Sequence, residues 1–548
     1  MEHSSPWWQR GIIYQIYSLS FQDANGDGRG DLPGILSRLD YIGLLGIDAV
    51  WLGPIYPSPM ADFGYDIADF TNVDPVFGSL DDLDRLIAAL HAREIRVLLD
   101  FVPNHTSNAH PWFIESRSSR QSAKRDWYVW VDPGPNGGPP NNWLSRFGGS
   151  AWEWDGATGQ YYYHAFLKEQ PDLNWRNPQV RAAMADVLRF WLRRGIDGFR
   201  IDAAAVLAED SLLRDEPPNP DADERTPPPD RLKRIYTDSR PEALDWLAEL
   251  RAIVDQFPDR LLLGEVDTSH DRIGQFYGDQ DHPILHLPLN YRLLDTPWDG
   301  QKIAAMIEEY FSSIPQHGWA SWVIGSHDKK RVASVIGPEQ ARVAAILLLT
   351  LPGTPIFYAG DELGMSGGSP NAEQVLDPFE RQVPGYGLNR DLERTPMQWD
   401  PSAHAGFTTG TPWLAVAGDY EMRNVEVEHA DRHSVLNLYR RLIAVRRAQP
   451  ALAAGQYRTV LVSGDSIAYS RSDGSQRLLI VLNLSSRTQS CDLPGTAGGR
   501  VLLSTQRDRV DDIVSDHIPL GGNEGLIIAL AGNGGSEIQR TNPPPIRL

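Results

Sequence analysis

The stretch GFRIDAAAV, residues 198–206, places Arg200 and Asp202 at the end of an apolar run. Burying an unpaired charge is costly, so an interior strand carries such residues only where both charges are used. The two residues are two positions apart and therefore lie on the same face of a strand. The stretch predicts a strand whose end opens into a functional site.

Along the chain, eight short β-branched or apolar runs, of which this stretch contains one, alternate with segments of helical periodicity. The runs are GIIYQIY from residue 11, AVWLGP from 49, IRVLLDFV from 95, GFRID from 198, LLLGEV from 261, LHLPLN from 285, WVIGSHD from 322 and TPIFYAGDE from 354. Eight alternations predict an α/β fold, a closed (β/α)8 TIM barrel of parallel strands wrapped in helices. An open doubly wound sheet is the alternative topology.

Two intervening segments carry clear helix signals. Ser79 stands three residues before Asp82, a spacing that predicts a capping box. A second helix is predicted to begin after Asn177, with Pro178 in its first turn, and to stop at Gly195.

The alternation is interrupted between residues 104 and 175, which hold 7 of the 17 Trp residues and the Gly/Pro-rich DPGPNGGPPNN. This length exceeds that of a plain βα loop and predicts an inserted subdomain B after the third strand. We therefore expect the barrel over 1–103 and 176–453. Short alternating strands predict a C-terminal antiparallel β-sandwich, with a tail, over 454–548.

Bulk composition restricts the partners. The formal charge of −21 disfavours nucleic acid and anionic membranes. The chain has no apolar run of transmembrane length and no recognisable signal peptide, so we expect a cytoplasmic location. Cys491 is the only cysteine, which excludes an internal disulfide and a thiolate-cluster metal site. No organic cofactor is expected, and the oligomeric state is left open.

Charged residues close several of the apolar runs, where the mouth of such a barrel is built. Glu265 follows the apolar LLLG, so desolvation favours its protonated form, whereas the Arg200 guanidinium favours the ionised form of Asp202. A protonated and an ionised carboxyl about 5 to 5.5 Å apart form the pair that retaining glycoside hydrolysis requires. Other runs end in polar residues as well: Asp100, Asn104, His105, His327 and Asp328.

The motifs DFVPNHTS, GFRIDAAAV, LLLGEV and GSHDKKR together resemble the four signature regions of glycoside hydrolase family 13, the α-amylase family. YQIYSLSFQDANGDGRGDLPGI, DFGYDIADF, QPDLNW and RTPMQWD are similar to the branch of that family that contains the α-glucosidases and oligo-1,6-glucosidases. The resemblance covers almost the whole chain. It implies a TIM-barrel enzyme that acts on small α-glucosides or oligosaccharides.

The resemblance also implies roles for individual residues. Asp202 would be the nucleophile, Glu265 the acid/base and Asp328 the third carboxylate, which binds sugar hydroxyls in the transition state. The expected substrate contacts are hydrogen bonds from His105 and His327, stacking by Tyr65, and a clamp on the far end of the terminal glucose by Asp62 and Arg394, in addition to Arg200. Such a clamp closes the cleft into a pocket, which implies exo attack with release of one glucose.

The loop DANGDGRGD resembles the first half of a calcium-binding hand. The resemblance implies a structural Ca²⁺ away from the catalytic centre; its expected ligands are Asp23, Asn25, Asp27, the carbonyl of Arg29, and Asp31. The bidentate Glu of such hands is absent, because Gly34 occupies the twelfth position. An Asx-rich turn without metal is the alternative.

Two positions bear on specificity. Ser326 stands where the family commonly has Asn before the His-Asp pair, and Ala203 follows the nucleophile, which in this branch favours α-1,4 bonds. The expected function is a retaining exo-acting α-glucosidase that removes terminal α-1,4-linked glucose from maltose, short oligosaccharides or small α-glucosides, with transglucosylation as a side reaction. The enzyme alternatives are an oligo-1,6-glucosidase and a transglucosylase or isomerase such as a trehalose synthase or sucrose isomerase.

Two non-enzymatic functions are alternatives to a glycosidase. Glucosidase-like ectodomains that chaperone transporters have a membrane anchor and have lost catalytic carboxylates, whereas this chain retains Asp202, Glu265 and Asp328. A sugar-binding module needs only stacking aromatics and no paired carboxyls. The sequence therefore disfavours both non-enzymatic functions.

Overall fold

A computed structural model of the protein describes residues 5–266, 268–368, 374–493 and 498–530. The C-terminal tail from residue 531 onward lies outside the described residues. The described part comprises a barrel, a small subdomain between its third and fourth strands, and a C-terminal β domain. None of its helices is both long and apolar enough to cross a membrane.

Eight parallel strands form the barrel, and all eight strands expected from the sequence are confirmed. They are β1 (Ile13–Ile16), β2 (Ala49–Leu52), β3 (Arg96–Phe101), β7 (Gly198–Ile201), β8 (Leu261–Glu265), β9 (Leu287–Leu289), β10 (Ser321–Val323) and β11 (Thr354–Tyr358).

The strand order is β10-β11-β1-β2-β3-β7-β8-β9, and neighbouring strands in this order pair in parallel. The two strands at the ends of this order also meet, because the Ser321 hydroxyl of β10 donates to the Pro288 carbonyl of β9 at 2.8 Å. The sheet therefore closes on itself, and the open-sheet alternative is wrong.

The helices surround the barrel and begin and end at the signals that the sequence shows. Ser79 and Asp82 form the capping box, and the helix after Asn177 ends at Gly195 in a left-handed conformation. The helices are α1 (Leu32–Ser37), α2 (Leu39–Leu45), α3 (Leu80–His91), α4 (Pro111–Arg117), α5 (Pro178–Arg194), α6 (Pro241–Val254), α7 (His270–Ile273), α8 (Arg292–Asp295), α9 (Gly300–Ser313), α10 (Val332–Ile336), α11 (Pro338–Thr350), α12 (Pro378–Gln382), α13 (Val425–Ala430), α14 (Val435–Ala448) and α15 (Pro450–Ala454).

Gly198 begins β7 because a side chain does not fit there. A Cβ at this position would lie 2.2 Å from the Leu261 carbonyl oxygen of the neighbouring strand β8. The close approach of β7 and β8 brings the strand ends that carry Asp202 and Glu265 side by side. The close packing at Gly198 therefore helps to set the geometry of the site.

The inserted subdomain contains α4 and the three-stranded sheet β4-β6-β5, formed by β4 (Trp130–Val131), β5 (Trp152–Asp155) and β6 (Gln160–Tyr163). Its core is aromatic: Trp143 stacks on Trp152, and Tyr163 packs edge-on against Trp143. This packing uses the tryptophan-rich composition that marks the segment in the sequence.

The C-terminal domain is antiparallel, as expected. A six-stranded sheet in the order β12-β13-β14-β19-β16-β17 faces the two-stranded sheet β15-β18 across a shared apolar core that includes Cys491. The strands are β12 (Gln456–Ser463), β13 (Ser466–Ser472), β14 (Arg477–Asn483), β15 (Gln489–Asp492), β16 (Gly499–Ser504), β17 (Ile513–Val514), β18 (His517–Leu520) and β19 (Gly525–Leu530).

Candidate active site

A cavity of about 670 Å³ opens at the carboxyl ends of the barrel strands, between the inserted subdomain and the segment that follows β11. Six of the sequence-predicted site residues line it: Asp62, Tyr65, His105, Asp202, Glu265 and Asp328. The other three, Arg200, His327 and Arg394, lie behind this wall and are fully buried. The structure thus brings the predicted catalytic and substrate-binding residues to one place.

Arg200 lies at the centre of the carboxylate cluster. Its Nη1 donates to Asp202 Oδ1 at 2.7 Å and to Asp100 Oδ1 at 3.2 Å, and its Nη2 lies 2.7 Å from Glu265 Oε2. Trp51 also donates to Asp100, at 3.0 Å. One guanidinium therefore holds Asp202 and Glu265 as immediate neighbours.

The electrostatics of Asp202 differ from the expectation. Burial raises the pKa of Asp202 well above its usual value; Arg200 opposes this shift, while Glu265, Asp100 and Asp328 add to it. Arg200 lowers the pKa of Asp202, as expected, but does not outweigh burial, because three carboxylates share that guanidinium. The guanidinium and the neighbouring carboxylates together therefore determine the pKa of Asp202.

Asp328 lies in a different environment on the opposite wall. Burial raises its pKa, but His327, Arg394 and Arg390 together outweigh burial and hold the pKa of Asp328 well below its usual value. The contacts are 3.0 Å from Oδ2 to His327 Nε2, and 2.6 Å and 3.4 Å from Oδ1 to Arg394 Nη2 and Arg390 Nη1. Asp328 is therefore ionised at neutral pH.

Tyr65 and His105 occupy the side of the pocket built by the loops after β2 and β3. The Tyr65 hydroxyl donates to Asp100 Oδ2 and lies 2.7 Å from His327 Nε2. Burial lowers the pKa of His105 to about 4, so its imidazole is neutral at physiological pH. Both rings are almost completely buried yet line the cavity.

The closed end of the pocket contains an ion pair that the sequence analysis did not name, and the clamp on glucose expected from Asp62 and Arg394 stays a prediction. Arg390, not Arg394, forms the ion pair with Asp62, with Nη2 2.9 Å from Oδ1. Arg390 also binds Asp377 through Nε and Nη2, at 2.7 to 3.2 Å. Arg394 lies one layer deeper and donates to Asp328 and to the His327 carbonyl. The four-residue offset places one arginine at the pocket surface and the other beneath it.

Several lining residues were missed by the sequence analysis. Gln170, in the QPDLNW motif, donates to Asp62 Oδ2 at 3.2 Å and lies 3.1 Å from His105 Nε2. Phe147 stacks on Phe379 across the cavity rim, and the Arg390 guanidinium lies 4.8 Å from the Phe147 ring centroid. Gln170 could have been found from its motif, whereas the two Phe residues carry no local signal.

Ser326 and Ala203, the two positions of interest for specificity, are both well defined. Ser326 Oγ accepts a hydrogen bond from the Asp328 amide at 3.1 Å, so this hydroxyl helps to hold the turn that presents Asp328. Ala203 has a left-handed backbone (φ +51°), lines the cavity, and donates its amide to Glu265 Oε2 at 3.1 Å.

The loop predicted to bind calcium is folded by its own side chains. Asp23 accepts from the amides of residues 25, 26 and 28, and Asp31 accepts from Ala24 and Gly34 and caps α1. Asn25 and Asp27 each accept one further loop amide through Oδ1. Within the described residues, no group of three or more His, Cys, Asp or Glu is placed to hold a metal ion. The calcium site stays a prediction.

Comparisons with known proteins agree on one family. The model of the α-amylase catalytic domain matches residues 15–455. The chain is 42% identical over 511 residues to a probable α-glucosidase of Rhizobium meliloti, covering 90% of this chain and 92% of the relative. It is 36% identical over 529 residues to the oligo-1,6-glucosidase of Parageobacillus thermoglucosidasius, covering 89% and 92%. Among solved structures, the α-glucosyl transfer enzyme XgtA superposes with a TM-score of 0.90 at 39% identity, covering 96% of this chain and all of the other.

Proposed function

We propose a specific reaction for this chain, which belongs to the α-amylase family and is a glycoside hydrolase. The reaction is removal of a terminal α-1,4-linked glucose from maltose, short oligosaccharides or small α-glucosides, with retention of the anomeric configuration. The observation that carries the proposal is the pair Asp202 and Glu265, held on one Arg200 guanidinium at the floor of a pocket whose end is closed by Asp62 and Arg390.

In the first step, an Asp202 carboxylate oxygen attacks the anomeric carbon while Glu265 gives its proton to the glycosidic oxygen. The bond from the anomeric carbon to the leaving group breaks, and a β-linked glucosyl ester with Asp202 forms. This scheme requires the proton on Glu265 and an ionised Asp202 for attack. Arg200, bound to both groups, stabilises the negative charge that remains.

In the second step, Glu265 removes a proton from water, and the water oxygen attacks the anomeric carbon from the face that the leaving group vacated. The ester bond to Asp202 breaks, and α-glucose is released. Asp328 is held ionised by Arg394 and Arg390, so its oxygens can accept hydrogen bonds from sugar hydroxyls in the oxocarbenium-like transition state. The roles of Asp202, Glu265 and Asp328 are part of this proposal.

Exo attack follows from the closed end of the pocket. Asp62 is paired with Arg390, and Arg390 is fixed by Asp377, whose side chain is fully buried. This clamp leaves space beyond the anomeric centre on one side only. Hydrogen bonds from a terminal glucose to Asp62 and Arg390 would select a non-reducing end over an internal unit.

The linkage preference is assigned to Ala203. A small side chain after the nucleophile is typical of α-1,4 specificity in this branch, and Ala203 faces the cavity beside Glu265. The resemblance to an oligo-1,6-glucosidase keeps α-1,6 cleavage as the second candidate. The resemblance to an α-glucosyl transfer enzyme supports partial transfer of the glucosyl unit to a sugar acceptor instead of water.

A structural Ca²⁺ in the loop from Asp23 to Asp31 is also part of the proposal. The chemistry of the donors suits a hard cation, because Asp23, Asn25, Asp27 and Asp31 carry side-chain oxygens and Arg29 a carbonyl. Binding would require these oxygens to exchange their hydrogen bonds with loop amides for the metal. The expected result is a rise in melting temperature on adding Ca²⁺ to chelator-treated protein, with Asp27→Ala as the insensitive control. An equal melting temperature with and without Ca²⁺ would favour the metal-free Asx turn.

The experiment that tests the reaction is NMR analysis of the products formed from maltose, isomaltose and sucrose, each incubated separately with purified protein. The proposal predicts initial release of α-glucose, fastest from maltose. Faster cleavage of isomaltose would assign α-1,6 specificity. New linkages with little free glucose would make the protein a transglucosylase or isomerase, and initial β-glucose would refute retention.

A further inference from the structure

Gln15 is a buried polar residue on the first barrel strand. It lies on β1, where it pairs in register with Trp51 of β2 and Tyr358 of β11, and it is 1% exposed. A buried amide in a barrel interior is costly unless it is hydrogen-bonded. Its Nε2 lies 2.7 Å from Nδ1 of His327.

The opposite ring nitrogen of His327 points toward the reactive groups. Its Nε2 lies 3.0 Å from Asp328 Oδ2 and 2.7 Å from the Tyr65 hydroxyl. An ionised carboxylate can only accept hydrogen bonds, so Nε2 carries the proton in this contact. Tyr65 gives its own proton to Asp100, which leaves its oxygen free to accept as well.

The state of Nδ1 then decides the charge of the ring. A bare Nδ1 gives a neutral imidazole and requires a donor opposite it, whereas a protonated Nδ1 gives an imidazolium and requires an acceptor. Gln15 is the residue that faces Nδ1, and it presents its NH2 group there; its Oε1 makes no hydrogen bond within the described residues.

We propose that Gln15 is a positioning residue that holds His327 as the neutral imidazole with its proton on Nε2. In this state His327 donates toward Asp328 and the sugar without adding a positive charge. His327 then stabilises the ionised Asp328 through its hydrogen bond, and the positive charges beside Asp328 are those of Arg394 and Arg390. Asp328 thereby keeps the acceptor strength that binding of sugar hydroxyls requires.

Other contacts also hold the His327 ring in one orientation. Tyr17 stacks on it with ring centroids 5.1 Å apart and planes 12° from parallel, and Arg394 Nε donates to its backbone carbonyl at 3.0 Å. The titratable or charged groups that face the ring are therefore Tyr17, Tyr65, Asp328 and Arg394. Gln15, which is uncharged, is the residue hydrogen-bonded to Nδ1 and can therefore select the tautomer.

The test compares Gln15→Met and Gln15→Glu with a matched control, Gln340→Met, which removes a buried amide at the contact between α11 and the C-terminal domain. The substrate is p-nitrophenyl α-glucoside, followed from pH 4 to 9. We expect Gln15→Met to lower kcat/KM by about tenfold, mainly through kcat, because one orienting hydrogen bond is lost. We expect Gln340→Met to change the melting temperature but neither kinetic constant.

Gln15→Glu has the same shape and carries the sharper prediction. A carboxylate opposite Nδ1 stabilises the imidazolium, so the neutral ring is restored only at higher pH and the acid limb of the kcat/KM profile moves upward. An unshifted profile with wild-type rates, in either variant, would show that Gln15 only fills space. An alkaline limb that moves upward, with an unchanged acid limb, would show that the imidazolium is the active form and would overturn the proposal.

Nitrogen NMR of the histidine rings gives a direct reading, with the His327 signals assigned by their loss in His327→Asn. The proposal requires one protonated Nε2 and one bare Nδ1 at neutral pH; two protonated nitrogens would refute it. This inference rests on the proposed role of His327 in the glycosidase reaction. Absence of hydrolysis by the wild-type protein would overturn the proposed function, while the NMR result still decides the tautomer.

Discussion

Removal of Arg390 is the perturbation that most clearly separates the structural account from the sequence-based expectation. Arg390 contacts Asp62, Asp377 and Asp328, and its side chain is 12% exposed. Arg390→Ala leaves Asp62 and Asp377 without their closest cation. Burial already raises the pKa of Asp62, and Arg390 is the first of the charges that oppose this shift. The variant therefore favours a protonated Asp62.

The magnitude follows from the contacts. Loss of one partner of a buried, hydrogen-bonded charge pair costs at least about 2 to 3 kcal/mol, which corresponds to a roughly 30- to 150-fold lower kcat/KM. Most of the loss should appear as a higher KM, because the clamp binds the terminal glucose in the ground state and in the transition state alike. The kcat/KM of Arg390→Lys should lie between those of the wild type and Arg390→Ala, since lysine keeps the charge but cannot bind Asp377 through two nitrogens.

The assay is steady-state hydrolysis of maltose at neutral pH, with the melting temperature of each variant measured in parallel. Arg487→Ala is the matched control, because Arg487 is 79% exposed and its ion pair with Asp465 lies on the C-terminal domain. A kcat/KM for Arg390→Ala within twofold of the wild-type value would refute the assignment of the clamp. If kcat/KM of Arg390→Ala stays near the wild-type value while Arg394→Ala shows a large loss, the clamp would be assigned to Arg394, as the sequence predicts.

Three further predictions concern catalysis, domain packing and pH. Asp202→Asn should lower kcat at least about a thousandfold and raise the melting temperature near neutral pH, because burial disfavours the ionised carboxylate; calorimetry beside the activity assay checks both. Arg471→Met should lower the melting temperature by several degrees at unchanged kcat, since the buried guanidinium donates to three carbonyls between α11 and the C-terminal strands. Burial raises the pKa of Asp361 to about 7, so ionisation destabilises the folded state as pH rises through 7; Asp361→Asn should gain melting temperature relative to wild type between pH 5 and pH 8.

The barrel could be predicted because its signals are local and repeated. Each strand is a short apolar run bounded by turn or cap residues, and Ser79, Asn177 and Gly195 mark helix ends through interactions with their own neighbours. Closure of the sheet could be predicted only from the count of eight runs. The contact between β9 and β10 that completes it joins residues 33 positions apart and leaves no trace in a local pattern.

The site could be predicted as far as strand ends determine it. Glu265 is the last residue of its strand, Asp202 follows its strand directly and Asp328 follows within a short turn, so the topology brings them together. Arg390 and Arg394 stand in an irregular segment, where the path of the chain and not a period decides which side chain reaches Asp62.

The direction of the pKa shift of Asp202 could not be predicted from Arg200 alone. The sequence shows the two residues two positions apart, but the sharing of the guanidinium with Asp100 and Glu265 depends on three strands. Gln15 could not be found for the same reason, because its partner His327 lies 312 positions away in the sequence, after β10.

The measurement that tests the central claim most directly is intact-mass analysis of Glu265→Gln treated with α-glucosyl fluoride, followed by peptide mapping. This substrate has a leaving group that needs no proton, so the first step proceeds while the second, which needs Glu265 as a base, is slow. The account predicts one glucosyl unit per chain, attached to Asp202. Absence of a covalent adduct under turnover, or an adduct on any other residue, would contradict it.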